Sequence, residues 1–161
     1  MCGISGIYAP EGRLPAADLE QTARRMAQSL GHRGPDRLAS WVSAHGGVAF
    51  GHTRLSIVDL TSAGEQPMTS ANGRWTITYN GEIYNTETLR RSLGSVSWRG
   101  HSDTEVLVEH IARHGVSATL KVARGMFAFG CWDSHESELW LARDRFGEKP
   151  LYYVLHKGVF L

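Results

Sequence analysis

The residues best suited to chemistry stand at the start of the chain, Met1-Cys2-Gly3-Ile4-Ser5-Gly6-Ile7. Removal of the initiator methionine leaves Cys2 with a free α-amino group, so a single residue carries both a nucleophile and a base. An unperturbed thiol titrates near pH 8.5 and an α-amino group near 7.7–8.0. A useful fraction of the amine is therefore unprotonated at neutral pH and can take the thiol proton as attack proceeds. Gly3 and Gly6 allow close backbone approach. A retained Met1 would displace the amine and leave the fold without the chemistry. Taken alone, Met-Cys-Gly favours an incidental residue at a frayed terminus.

Five further strings narrow that choice. They are His32-Arg33-Gly34-Pro35-Asp36, the run from Gly51 to Leu60, Tyr79-Asn80-Gly81-Glu82-Ile83-Tyr84-Asn85, Ser102-Asp103-Thr104-Glu105, and the run from Ala142 to Tyr153. In this order and approximate spacing, the chain resembles the glutaminase half of glutamine-dependent asparagine synthetases. These belong to the class II, N-terminal-nucleophile glutamine amidotransferases. The likeness runs from Met1 to Tyr153.

That resemblance implies a site for L-glutamine. Cys2 would attack the side-chain amide carbon, its ammonium would protonate the departing ammonia, and water would release glutamate from the γ-glutamyl thioester. Acyl chemistry also needs donors for the developing oxyanion. Asn80 and Gly81 are the candidates: a side-chain amide and a neighbouring N–H can converge on one oxygen, with the glycine expected to permit the turn that aims the second donor. The same two residues also read as an ordinary hairpin turn. Arg54 has the planar fork suited to an α-carboxylate, and Asp103 and Glu82 are candidate acceptors for the α-ammonium. The resemblance carries over Arg54 and Asp103 as the amino-acid clamp, Glu82 as a positioning residue, and backbone contacts at Ile57 and Val58. Each charge could equally be a solvated side chain or ordinary ion pair, and Asp103 could cap a helix.

Other chemistry-bearing residues read as structural. Arg33 to Asp36 is expected to be a loop bordering the site, with Arg33 pairing with Asp36 or supporting the terminal strand. His52 shares a strand face with Arg54 and reads as a packed or hydrogen-bonded histidine. Cys131, within the apolar Met126 to Trp132 run, reads as a small core hydrophobe. The eight histidines show no spacing suited to a metal cage, and hydrolysis of glutamine is expected to need no cofactor.

The elements that must position these groups follow from hydrophobic periodicity. Strands are expected at 2–9, 39–44, 48–60, 74–79, 125–133, 138–142 and 151–155. Helices are expected at 16–30, 85–93 and 104–114, and Gly46-Gly47 signals a hairpin. Strands at both ends with helices between fit an α+β layered domain. The resemblance sharpens this to a four-layer αββα N-terminal-nucleophile hydrolase sandwich with two antiparallel sheets.

A chain of 161 residues fits one domain over 1–161. Its net charge of +1 gives no broad electrostatic footprint for nucleic acid. No apolar run is long enough to span a bilayer, and no secretory signal is read. A cytoplasmic, reducing compartment with two free thiols is expected. The synthetase half, with its ATP and Mg, is expected to be absent, since neither a Ser-Gly-Gly-x-Asp-Ser loop nor a Walker pattern occurs. A synthetase domain or subunit is the expected ammonia acceptor. The stretch from Arg143 to Tyr153 could drive self-association as a homo-oligomer. An alternative reading is a catalytically weak glutamine-binding or interaction subunit that depends on a separate synthetase.

Overall fold

The computed structural model describes residues 2–9, 13–56 and 61–161. The chain starts as a strand, β1 (Gly3–Tyr8), then forms α1 (Ala16–Ser29). Pro15 precedes the helix, and Leu19, Ala23 and Ala27 recur every four residues on its buried face. β2 (Arg37–Val42) and β3 (Val48–Arg54) follow as a hairpin. Between them Gly46 and Gly47 take φ of 71° and 84°, a pair of left-handed positions that only glycine occupies without strain. After β4 (Met68–Thr69) come β5 (Trp75–Ile83), α2 (Thr86–Ser92), α3 (Asp103–His114) and α4 (Val116–Val122). The chain closes with β6 (Gly125–Asp133), β7 (Glu138–Arg143), β8 (Leu155–His156) and β9 (Val159–Phe160).

Among the described residues every strand pairing is antiparallel, and two sheets result: β2-β3-β1-β9-β8 and β4-β5-β6-β7. Helix α1 packs on β1, β2 and β3, while α3 lies on β4 and β5 and carries α2 and α4 beside it. β1 and β3 face β5 across the middle. This is the expected αββα order. Three apolar clusters fill its three interlayer spaces. Leu19, Ala23, Ile7 and Ala49 lie under α1; Val48, Phe50 and Trp132 lie between the sheets; Ile77, Tyr79, Leu107, Ile111 and Phe129 lie under α3. β3 is buried along all seven residues because it has a layer on each face.

Several expected boundaries move, each for a physical reason. β5 runs on through Ile83 rather than stopping at Tyr79, since β6 offers partners as far as Gly125. The β3 ladder ends at Arg54, opposite the first residue of β2; the expected continuation over 57–60 lies outside the described residues. Helix α4 was not expected from the sequence at all. Gly115 at φ 79° breaks it from α3, and a threonine, Thr119, is buried where periodicity looks for an aliphatic residue. The expected strand at 151–155 is the clearest miss. Among the described residues pairing begins only at Val154, which exchanges both backbone bonds with Leu161, while 151–153 have no neighbouring strand there despite their β character. Tyr152, Tyr153, Val154 and Leu155 are left exposed, along with Phe146. Among the described residues no helix is long and apolar enough to cross a membrane.

Candidate active site

Cys2 immediately precedes β1, and its place is set by neighbours from three segments. The Gly3 N–H donates to Thr53 Oγ1 at 3.1 Å, and that hydroxyl donates in turn to the Leu30 carbonyl at 3.2 Å. The Arg33 Nε–H donates to the Cys2 carbonyl at 3.3 Å, so Arg33 supports the terminal strand, one of its two expected roles. Asp36 does not pair with it and instead accepts the Ser56 N–H at 2.7 Å. The thiol itself is half-buried. Its Sγ accepts the Leu55 N–H at 3.5 Å and lies 3.8 Å from the Leu55 carbonyl.

Cys2 opens onto a cavity of about 160 Å3 whose walls include Arg54, Asn80, Gly81, Glu82 and Asp103. That volume suits a small metabolite better than the roughly 300–1,000 Å3 of drug-sized sites. The two sheets and α3 thus bring together six residues that span about a hundred positions in sequence. Ile57 and Val58 lie outside the described residues.

Asn80 and Gly81 do not form the turn expected of them. They sit inside β5, opposite Ala128 and Phe127 of β6. Gly81 is required here by proximity: a Cβ would stand 2.3 Å from the Met126 carbonyl oxygen and 2.6 Å from Phe127 Cα. The strand geometry supplies the donor that a turn was expected to aim. Backbone N–H groups of a strand alternate between its two edges. The N–H groups of Tyr79 and Ile83 point to the edge away from β6, where Gln66 Oε1 accepts the first at 2.7 Å and Asp103 Oδ2 the second at 3.0 Å. Gly81, between them, points the same way. β4 pairs only with Thr76 and Ile77, so it does not reach this stretch, and no side chain of the described residues takes the Gly81 N–H. The Asn80 side chain is buried and likewise makes no hydrogen bond among the described residues.

The charged groups divide between anchored and open. Arg54 is buried, and its Nη1 donates to the Thr61 carbonyl at 2.9 Å. Glu82 is exposed at the rim. Asp103 is the first residue of α3, but Ser102 caps the helix by accepting the Glu105 N–H at 3.2 Å. Asp103 is therefore free of the capping role considered for it and turns toward β5. His52 is a packed core group, as expected. Burial lowers its pKa to about 4; a bond to the Tyr79 backbone opposes the shift and the Arg54 charge adds to it.

The family model for the glutamine amidotransferase domain matches residues 1–161. The chain belongs to this family. Among curated relatives, the glutamine-hydrolyzing asparagine synthetase 3 of Bacillus subtilis is 42% identical over 168 residues, covering 100% of this chain and 26% of that protein. The glutamine-hydrolyzing asparagine synthetase 1 of the same organism is 40% identical over 156 residues, covering 96% of this chain and 24% of the relative. Amidase chry2 of Gibberella zeae is 36% identical over 169 residues, covering 100% of this chain and 25% of that protein. The chain spans about a quarter of the length of these relatives.

Within this amidotransferase domain, sequence reasoning passed over Leu55, Gln66, Tyr79 and Thr104, all of which line the cavity. The Gln66 side chain takes the Tyr79 N–H and donates to Thr104 Oγ1 at 3.2 Å, tying β5 to α3. Nothing in its local sequence announces this. Tyr79 adjoins the Asn80-Gly81 pair and carried a signal in that adjacency alone.

Proposed function

We propose that the chain hydrolyses L-glutamine to glutamate and ammonia through Cys2. The observation that carries this reading is the single cavity lined by Cys2, Arg54, Asn80, Gly81 and Asp103, with the Gly81 N–H lacking an acceptor among the described residues. With Met1 removed, the α-amine takes the thiol proton as Sγ bonds to the amide carbon. Gly81 and Asn80 receive the oxyanion. The ammonium then returns its proton to the leaving nitrogen as the C–N bond breaks, giving ammonia and a γ-glutamyl thioester. Water attacks the thioester with the amine again as base, releasing glutamate and restoring the thiol. Arg54 meets the α-carboxylate and Asp103 the α-ammonium, with Glu82 at the mouth and Ile57 and Val58 as backbone contacts.

The ammonia acceptor in this reading is a synthetase domain or subunit, and asparagine formed from aspartate is the product. ATP and magnesium belong to that partner. Two Bacillus subtilis relatives named as glutamine-hydrolyzing asparagine synthetases, each about four times the matched length, support this assignment. So does the exposed apolar group Phe146, Tyr152 and Tyr153, which offers a face for another domain or a second copy. The similarity to an amidase favours a second reading, hydrolysis of other amides. A cation, Arg54, and an anion, Asp103, lining the same cavity favour α-amino-acid amides within that reading.

The test is glutamate release from L-glutamine by protein whose intact mass confirms loss of Met1, with Cys2→Ala beside it. Turnover should fall by about 10³-fold or more in the variant, as removal of a nucleophile does elsewhere. Folded, processed protein that binds glutamine without turnover would replace hydrolysis with the binding-subunit reading.

A further inference from the structure

We infer that Tyr79 is a positioning residue for substrate specificity: its hydroxyl locks Asp103 so that one carboxylate oxygen is held and the other is presented to the α-ammonium of glutamine. This rests on the reading of Asp103 as the ammonium acceptor. Along β5, Ile77, Tyr79 and Ile83 point to the α3 side, into the apolar cluster with Leu107 and Ile111, whereas Thr78 reaches the opposite sheet at the Gly51 carbonyl. The Tyr79 ring thus runs under the start of α3, and its hydroxyl meets Asp103 Oδ2 at 2.7 Å. The Ile83 N–H donates to the same oxygen at 3.0 Å. Oδ1 accepts no hydrogen bond from the described residues, and Asp103 lines the cavity.

This division of labour within one carboxylate has a clear physical use. A carboxylate held by a single bond can rotate and offer either oxygen, which spreads the ammonium over several poses. Two donors on one oxygen fix the plane and leave a directed acceptor. Burial, and after it the Asp103 charge and its bond, raise the Tyr79 phenol well above its ordinary pKa, so it stays neutral and remains a donor throughout the working range. Gln66, taking the Tyr79 N–H while donating to Thr104, ties the Tyr79 backbone to α3, so ring and carboxylate keep their spacing.

The experiment compares Tyr79→Phe with the parent protein, both lacking Met1, on L-glutamine and on 4-carbamoylbutanoic acid, which is glutamine without its α-amino group. The second compound is read as a substrate, or as a competitive inhibitor where turnover is slow. Phenylalanine keeps the ring and removes only the donor. The expected result is a KM for glutamine about tenfold higher with kcat within about twofold, and no change for the deaminated compound. In an Asp103→Asn background the Tyr79→Phe change should add little, because the two residues act as a unit. Equal losses on both compounds would mean a merely structural tyrosine, and an unchanged KM for glutamine would mean no role; either overturns the inference while glutamine hydrolysis stands. A processed parent protein that hydrolyses no glutamine overturns the Cys2 reading, and this inference with it.

Discussion

Cys2 and Cys131 are the chain's two thiols, and their surroundings differ in almost every respect. Cys131 sits mid-strand in β6, opposite Ile77 and Trp140, in the apolar layer under α3. It is fully buried, and burial followed by the nearby Asp133 charge pushes its thiol far up in pKa. Cys2 stands at the end of a sheet, half-buried, with its sulfur in hydrogen-bond contact with the Leu55 backbone and a cavity in front of it. One strand connects the two settings: β5 pairs with Cys131 at Ile77 and reaches the Cys2 cavity at Asn80 and Gly81. The contrast teaches that layer position decides what a cysteine can do. A thiol inside a sheet packs as a hydrophobe, and one at a sheet's end can meet a substrate.

The largest effect should appear in thiol reactivity. In native protein an alkylating reagent should modify Cys2 and leave Cys131 at least about a thousandfold slower, since reaching it requires opening a domain at a cost of roughly 5–15 kcal/mol. Peptide mass mapping over time reads this directly, and comparable rates would break the contrast. Next in size is Asn80→Ala. It alters β5 only at the Cys2 end and should lower kcat for glutamine by about 10²–10³, with Cys131 protection unchanged. Steady-state kinetics beside the alkylation assay would expose a variant that merely loosened the strand.

The smallest effect concerns protons. His52 lies in the buried layer with a folded pKa of about 4 against an ordinary 6.5. The unfolded chain therefore binds the extra proton first. The stability tied to neutral His52 is fully present above pH 6.5 and is lost as pH falls toward 4, by about 3 kcal/mol in all. Asp144 titrates in a separate window. Burial pushes its carboxyl up, but the backbone N–H groups of Lys149, Glu148, Phe127 and Phe146 outweigh that and hold it at about 2, against an ordinary 3.8. Its contribution is present above 3.8 and is lost as pH falls toward 2. Urea unfolding at a series of pH values should show the His52 slope first, and His52→Asn should flatten that slope alone.

Much of this was legible in the sequence. The candidate nucleophile is visible because the chemistry proposed for it depends on position in the chain, next to the initiator methionine. The family follows from short strings in order. β6 was placed to the residue, because a nine-residue run rich in apolar and aromatic groups has a strong strand signature. The strand expected at 151–155 failed for the complementary reason: β character cannot create a partner. Asn-Gly misled as well, because that pair favours turns locally while here the long β5–β6 ladder overrides it.

The sequence by itself determined the family, through it the expected layer order, and the residues proposed for a glutamine site. It did so because residue identity, periodicity and motif order are properties of the linear chain. Only the tertiary structure decided which backbone donor is left unspent and how Asp103 is aimed. Among the described residues the Gly81 N–H has no acceptor, since β4 ends two pairs into β5, and Asp103 Oδ1 has no donor while Tyr79 and Ile83 both bond to Oδ2. Both depend on where neighbouring elements stop, and a hydrogen-bond donor or acceptor is free or spent only once its neighbours are in place.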